Sequence, residues 1–76
     1  MDIRRVFGAN VRRYRLAAQL SQEAVAVRMG VDRAHVSANE RGLQNATHLT
    51  IWQTSQALDV RPADLLEENV SKAKGS

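Results

Sequence analysis

Apolar residues recur through the first eighteen positions as Ile3, Phe7, Val11, Tyr14 and Ala18, at intervals of four, four, three and four. That spacing draws a stripe along one face of an α-helix and does not fit a strand, whose side chains alternate. Asp2 stands where an N-cap is needed. The chain must turn between Gln19 and Leu20, and Ser21 then caps a second helix from Gln22 to Met29, with Val25, Ala26 and Met29 inward. Gly30 ends it, because glycine accepts the left-handed backbone without a Cβ penalty, and Asp32 can cap a third helix two residues later. The third helix is predicted from Arg33 to about Arg41, stopping at Gly42, with "LQNA" (43–46) as a loop. Thr47 caps a fourth helix through Leu58, in which Ile51, Trp52 and Leu58 are the large apolar residues and Thr54 and Ser55 dilute the stripe. Pro62 suits the first position of a fifth helix beginning near Arg61, docked by Leu65 and Leu66. The expected fold is all-α: a compact bundle of five short helices in one domain, residues 1–69, followed by a flexible tail, residues 70–76.

Size and composition narrow the functions this chain can serve. Seventy-six residues lie near the lower limit for one self-sufficient core, too few for an elaborate catalytic cleft. There is no cysteine, so neither a disulfide framework nor a thiolate zinc site supplies extra stability. The longest unbroken apolar run, Ala24 to Val27, is far short of a membrane span or a secretory signal, so a soluble cytoplasmic protein with no membrane partner is expected. Net charge is +3, and five of the nine arginines (Arg4, Arg5, Arg12, Arg13 and Arg15) fall in the first fifteen residues, while Glu67 and Glu68 lie near the end. A polyanion is the partner that such a distribution suits. His35 and His48, even with Asp32 and Glu40 near in sequence, lack the ligand spacing of a catalytic zinc site. Ser21 and Ser37 are accompanied by no glycine elbow or oxyanion loop. Neither a metal, a cofactor nor an enzymatic activity is expected.

The third helix carries the most informative chemistry. On a helical wheel Arg33, Ala34, Ser37, Ala38 and Arg41 share one side, while Val36, Asn39, Glu40 and Leu43 share another. The first side has small central members and polar ends, so a second surface can come close to it. The major groove of DNA is such a surface, since it admits an α-helix, and arginine pairs bidentately with guanine there. An ordinary solvated helix face has the same composition. Spacing separates the two readings: a short helix, a glycine turn and a second short helix form the helix-turn-helix arrangement, which offers its second helix to the groove. Asn39 belongs to the inward side after Val36 and is no part of the base-facing row.

The segment "LSQEAVAVRMGVDRAHVSANERG" resembles the DNA-binding domain of the phage-repressor and Cro-like family, also called the xenobiotic-response-element family of bacterial regulators. The resemblance covers residues 8–66, from "GANVRRYR" through "LSQE", "MGV" and "ERG" to "ALDVRPADLL". The length, the "DR" opening the third helix and the "ER" closing it are similar, within that family, to controller proteins of restriction-modification systems. The resemblance implies a lambda-repressor-like fold and a sequence-specific transcriptional regulator that binds a pseudo-palindromic operator in duplex DNA as a homodimer. RNA polymerase is an implied further partner. Arg33, Ala34, Ser37 and Ala38 would face base edges, and Arg12, Gln22, Arg41, Gln44 and Asn45 would hold phosphates. Arg15 and Glu40 match a paired arginine and glutamate of the family. Three positions depart from its pattern: Asn39 where an apolar residue is usual, Gln19 where glycine is frequent, and Ala46 where proline often stands.

Dimerisation is expected through Trp52, Val60, Leu65 and Leu66, which together exceed the apolar surface so small a core can cover. The competing function is an antitoxin or another protein-interaction module on the same helical fold, favoured by the two alanines in the base-facing row.

Overall fold

The structure, a computed structural model, describes residues 2–68. Four α-helices follow one another, α1 (Ile3–Ala17), α2 (Gln22–Met29), α3 (Arg33–Glu40) and α4 (His48–Leu58), and a 3₁₀ turn (Pro62–Leu66) closes the described chain. Among the described residues there is no strand, and no helix is long and apolar enough to cross a membrane. The expected tail, residues 70–76, lies outside the described residues.

Three of the four expected caps form through side chains. Asp2 accepts from the Arg4 N–H at 3.0 Å, Ser21 from Ala24 at 3.0 Å and Thr47 from Thr50 at 3.1 Å. The Arg4 guanidinium also bonds the Asp2 carboxylate, and that side-chain hydrogen bond holds the Asp2 carboxyl below its usual value. Asp32 sits at the N-cap of α3 in an extended conformation, but its side chain makes no capping bond; only its carbonyl accepts, from His35 N–H at 2.9 Å. Gly30 closes α2 at φ +76°, and Gln19 takes φ +60° in the turn after α1. Gln19 thus occupies a backbone region that glycine enters at far lower cost.

The fifth helix is a correction. Pro62 does start a helical turn, but the segment lasts five residues and Glu67 is already extended. Asn10, fully buried in α1, donates through Nδ2 to the carbonyls of both Leu65 and Glu67 at 2.8 Å. Those carbonyls are thereby satisfied from outside the segment, so the chain gains nothing from winding a further α-turn.

Phe7, Val11, Val25, Ala26, Met29, Val36, Ala57, Leu58 and Leu65 form the buried core, with Tyr14, Leu20, Ile51 and Val60 packed partly against it. The α1 stripe is narrower than the periodicity suggests. Ile3 is 54% exposed and Ala18 is exposed at the C-cap, whereas Gly8 and Asn10 are buried. In α4 the inward face is Thr54, Ser55, Ala57 and Leu58, and Trp52 points out, 55% exposed. The two hydroxyls tolerate burial because each donates back into its own helix, Thr54 to the Thr50 carbonyl at 2.7 Å and Ser55 to the Trp52 carbonyl at 2.6 Å. Leu65 is completely buried in the core and has no surface left for a partner, which removes it from the expected dimer contact.

Candidate nucleic-acid interface

Two close contacts with α1 hold α3 in place. Val36 enters the core from the middle of α3, and the end of α3 lies against Gly8. A Cβ at Gly8 would overlap the Asn39 carbonyl oxygen and come within 2.9 Å of that of Glu40. Glycine inside a helix costs roughly 0.5–1 kcal/mol relative to alanine, and here that cost permits backbone-to-backbone approach.

A polar network then fixes the ends of α3. Glu40, its side chain only 3% exposed, accepts from Arg15 Nε at 2.6 Å and Arg15 Nη2 at 3.2 Å. This bidentate pair ties α1 to the last turn of α3, and the third arm of Arg15, Nη1, donates to the Leu20 carbonyl at 2.9 Å. Gln22, the first residue of α2, donates from Nε2 to Glu40 Oε1 at 3.1 Å and accepts at Oε1 from Arg33 Nη1 at 3.3 Å. A single amide therefore links the closing glutamate of α3 to its opening arginine. In the isolated chain the Gln22 side chain is committed to this bridge rather than standing free toward a phosphate.

With its inner side locked, α3 turns the row of Arg33, Ala34, Ser37 and Ala38 outward. Arg33 and Ala34 are exposed, and Ser37 and Ala38 are half-buried. Arg41, exposed at the C-cap, follows, and then the loop in which Gln44 and Asn45 are exposed. The structure thus brings Arg15, Glu40, Gln22 and Arg33 into one network, whereas Arg12 is exposed on α1 outside it. The surface offered is a short helix with small central residues, a guanidinium at either end and a polar loop beyond. Such a surface can enter the major groove, with donors at its margins for phosphates.

Sequence reasoning missed three residues that the structure puts to use. Gly8 was detectable, since a glycine amid a helical stripe signals a close approach. Asn10 gave no such signal, because its acceptors lie more than fifty residues away along the chain. Leu49, 63% exposed one turn before Trp52 on α4, adds to the outward apolar surface of that helix.

Comparison with known proteins defines the class. A helix-turn-helix domain family matches residues 6–68, and the chain belongs to that family. It is similar to the uncharacterized HTH-type transcriptional regulator y4dJ of Sinorhizobium fredii (strain NBRC 101917 / NGR234), with 38% identity over 66 residues, 87% of this chain and 86% of the relative. The control protein C.BamHI of Bacillus amyloliquefaciens is 40% identical over 67 residues, covering 87% of this chain and 83% of that protein. The crystal structure of the restriction-modification controller protein C.AhdI from Aeromonas hydrophila superposes with a TM-score of 0.78 at 39% identity, over 82% of this chain and 94% of that one.

Proposed function

We propose that this protein is a sequence-specific transcriptional regulator that binds duplex DNA as a symmetric homodimer, with α3 in the major groove, and that its targets include a restriction-modification operon. The observation that carries the reading is the outward row of α3, small in the middle and cationic at its ends, on a helix held from behind by the Arg15–Glu40 pair. Likeness to C.BamHI and C.AhdI supports the narrower role. RNA polymerase is the further partner that role implies. In this reading Arg33, Ala34, Ser37 and Ala38 meet base edges, and Arg12, Arg41, Gln44, Asn45 and the Gln22 end of α2 meet phosphates. Trp52, Val60 and Leu66 pair the subunits, joined by Leu49.

Selection of bound sequences from a randomised duplex pool tests this directly. Enrichment of a pseudo-palindrome with half-sites about 10 base pairs apart is expected. Arg33→Ala should then cost about 1–3 kcal/mol on the selected duplex and little on an unselected one, as a base contact does. Failure to enrich any sequence would transfer the function to protein interaction on the same fold.

A further inference from the structure

The nine arginines differ in what holds them. Arg4 pairs with Asp2, Arg15 with Glu40 and Arg61 with Asp64. Arg33 donates to Gln22, Arg28 donates to the Ala57 carbonyl, and the Arg13 guanidinium lies 4.4 Å from the centre of the Tyr14 ring. Three remain, Arg5, Arg12 and Arg41, for which no hydrogen bond or ion pair exists among the described residues, and all three are exposed. The DNA-binding reading already uses Arg12 and Arg41. Nothing so far uses Arg5.

Its location gives it a role. Gly42, at φ +73°, follows Arg41 at the end of α3, and a Cβ placed on it would lie 3.3 Å from Arg5 Cγ, 3.4 Å from Arg5 Cα and 3.5 Å from Arg5 N. The backbone and the start of the side chain of Arg5 therefore rest on the glycine that adjoins Arg41. Beyond Gly42, the loop keeps to the same end of α1: Asn45 and Ala46 share a small groove with Ile3, Arg4 and Phe7. The stem of Arg5, from α1, and the backbone that follows Arg41, thirty-six positions further along the chain, thus adjoin one loop. The Asp2 carboxylate feels the charge of Arg5 but is held by hydrogen bonds to Arg4, and it makes no ion pair with Arg5. An exposed guanidinium that makes no ion pair is open to an anion supplied from outside.

We propose that Arg5 is a DNA-phosphate contact, acting next to Arg41 on a neighbouring phosphate of the strand that flanks α3. This rests on the reading of α3 as a groove-binding helix. Guanidinium groups suit the task, since their planar donors match phosphate oxygens and they carry charge at any physiological pH. Gly42 serves both as the left-handed residue that ends α3 and as the gap that admits Arg5. The first helix thereby supplies part of the backbone grip, in addition to bracing α3 from behind.

The test needs no operator, because a phosphate contact acts on any sequence. A labelled mixed-sequence duplex is titrated by fluorescence anisotropy across a series of low salt concentrations, using the wild type, Arg5→Gln, Arg5→Lys, Arg41→Gln and, as a control outside the interface, Arg28→Gln. Arg5→Gln keeps the aliphatic stem against Gly42 and loses only the charge. Its plot of log affinity against log salt should be shallower by about 0.9 per bound subunit, the value for one released contact, and Arg41→Gln should behave alike. Arg5→Lys and Arg28→Gln should keep the wild-type slope. A wild-type slope for Arg5→Gln would overturn the proposal while leaving the DNA-binding reading standing, and so would an equal loss in Arg5→Lys, which marks a packing role. If the wild type itself fails to bind the duplex at low salt, the DNA-binding reading falls and this proposal falls with it.

Discussion

Asn39 Oδ1 is a buried acceptor with no donor, on a residue only 3% exposed. Leaving such a group unpaired costs about 1–3 kcal/mol, so an apolar side chain of the same shape should do better. Asn39→Leu is expected to stabilise the fold by roughly 1 kcal/mol in urea or thermal unfolding, and a lower melting temperature would contradict this account of the site. The inward placement of Asn39 was legible from the helical wheel alone. Its lack of a partner was not, because what faces Asn39 is set by the α1 crossing, and that crossing depends on Gly8. Gln19 stood out only through the family resemblance, in which glycine is frequent at that place, and the structure gives it φ +60°.

Among the elements, α1 to α4 and their order were readable because periodicity and cap residues are local properties. The short 3₁₀ turn at Pro62–Leu66 was not, since Asn10 ends it from a distant helix. The inward face of α4 was misjudged for a related reason. Hydropathy scores Thr54 and Ser55 as polar, but a hydroxyl that bonds its own helix presents mainly its carbon atoms to the core. The Arg15–Glu40 pair came from family resemblance, and its geometry gives it weight: the two side chains are 12% and 3% exposed, so solvent screens them little. Arg15→Met would strand the Glu40 carboxylate with Gln22 as its remaining donor, and should cost about 3 kcal/mol or more. In a double-mutant cycle with Glu40→Gln, a coupling of at least about 1 kcal/mol is expected, and strict additivity would show that the pair contributes nothing.

At the scale of the molecule, a 76-residue chain covers only part of its apolar surface, and Leu49, Trp52 and Leu66 remain 63%, 55% and 39% exposed. Sequence reasoning expected the excess at the end of α4 and in the segment after it; the exposed apolar residues of α4 are Leu49 and Trp52 in its first half, and of the two adjacent leucines beyond it Leu65 is buried and Leu66 exposed. Association through this surface should be visible in Trp52, the single tryptophan. Its emission should shift to the blue as protein concentration rises through tens of micromolar, and Leu66→Glu should abolish the shift while leaving far-ultraviolet dichroism unchanged. A concentration-independent spectrum, with a monomer in sedimentation, would place the subunit contact elsewhere or remove it.

The missing side-chain cap on α3 has a consequence for how the protein fluctuates. An eight-residue helix is marginal in isolation, and this one starts without the hydrogen bond that Asp32 could have supplied. Its order is borrowed from Val36 in the core, from the backbone contact at Gly8 and from the bridge through Gln22. Partial unfolding that releases α1 therefore releases α3 as well, so α3 and its brace belong to one cooperative unit. Amide hydrogens of α3 should exchange with solvent in step with those of the middle of α1, whereas an α3 that frayed independently of α1 would exchange first.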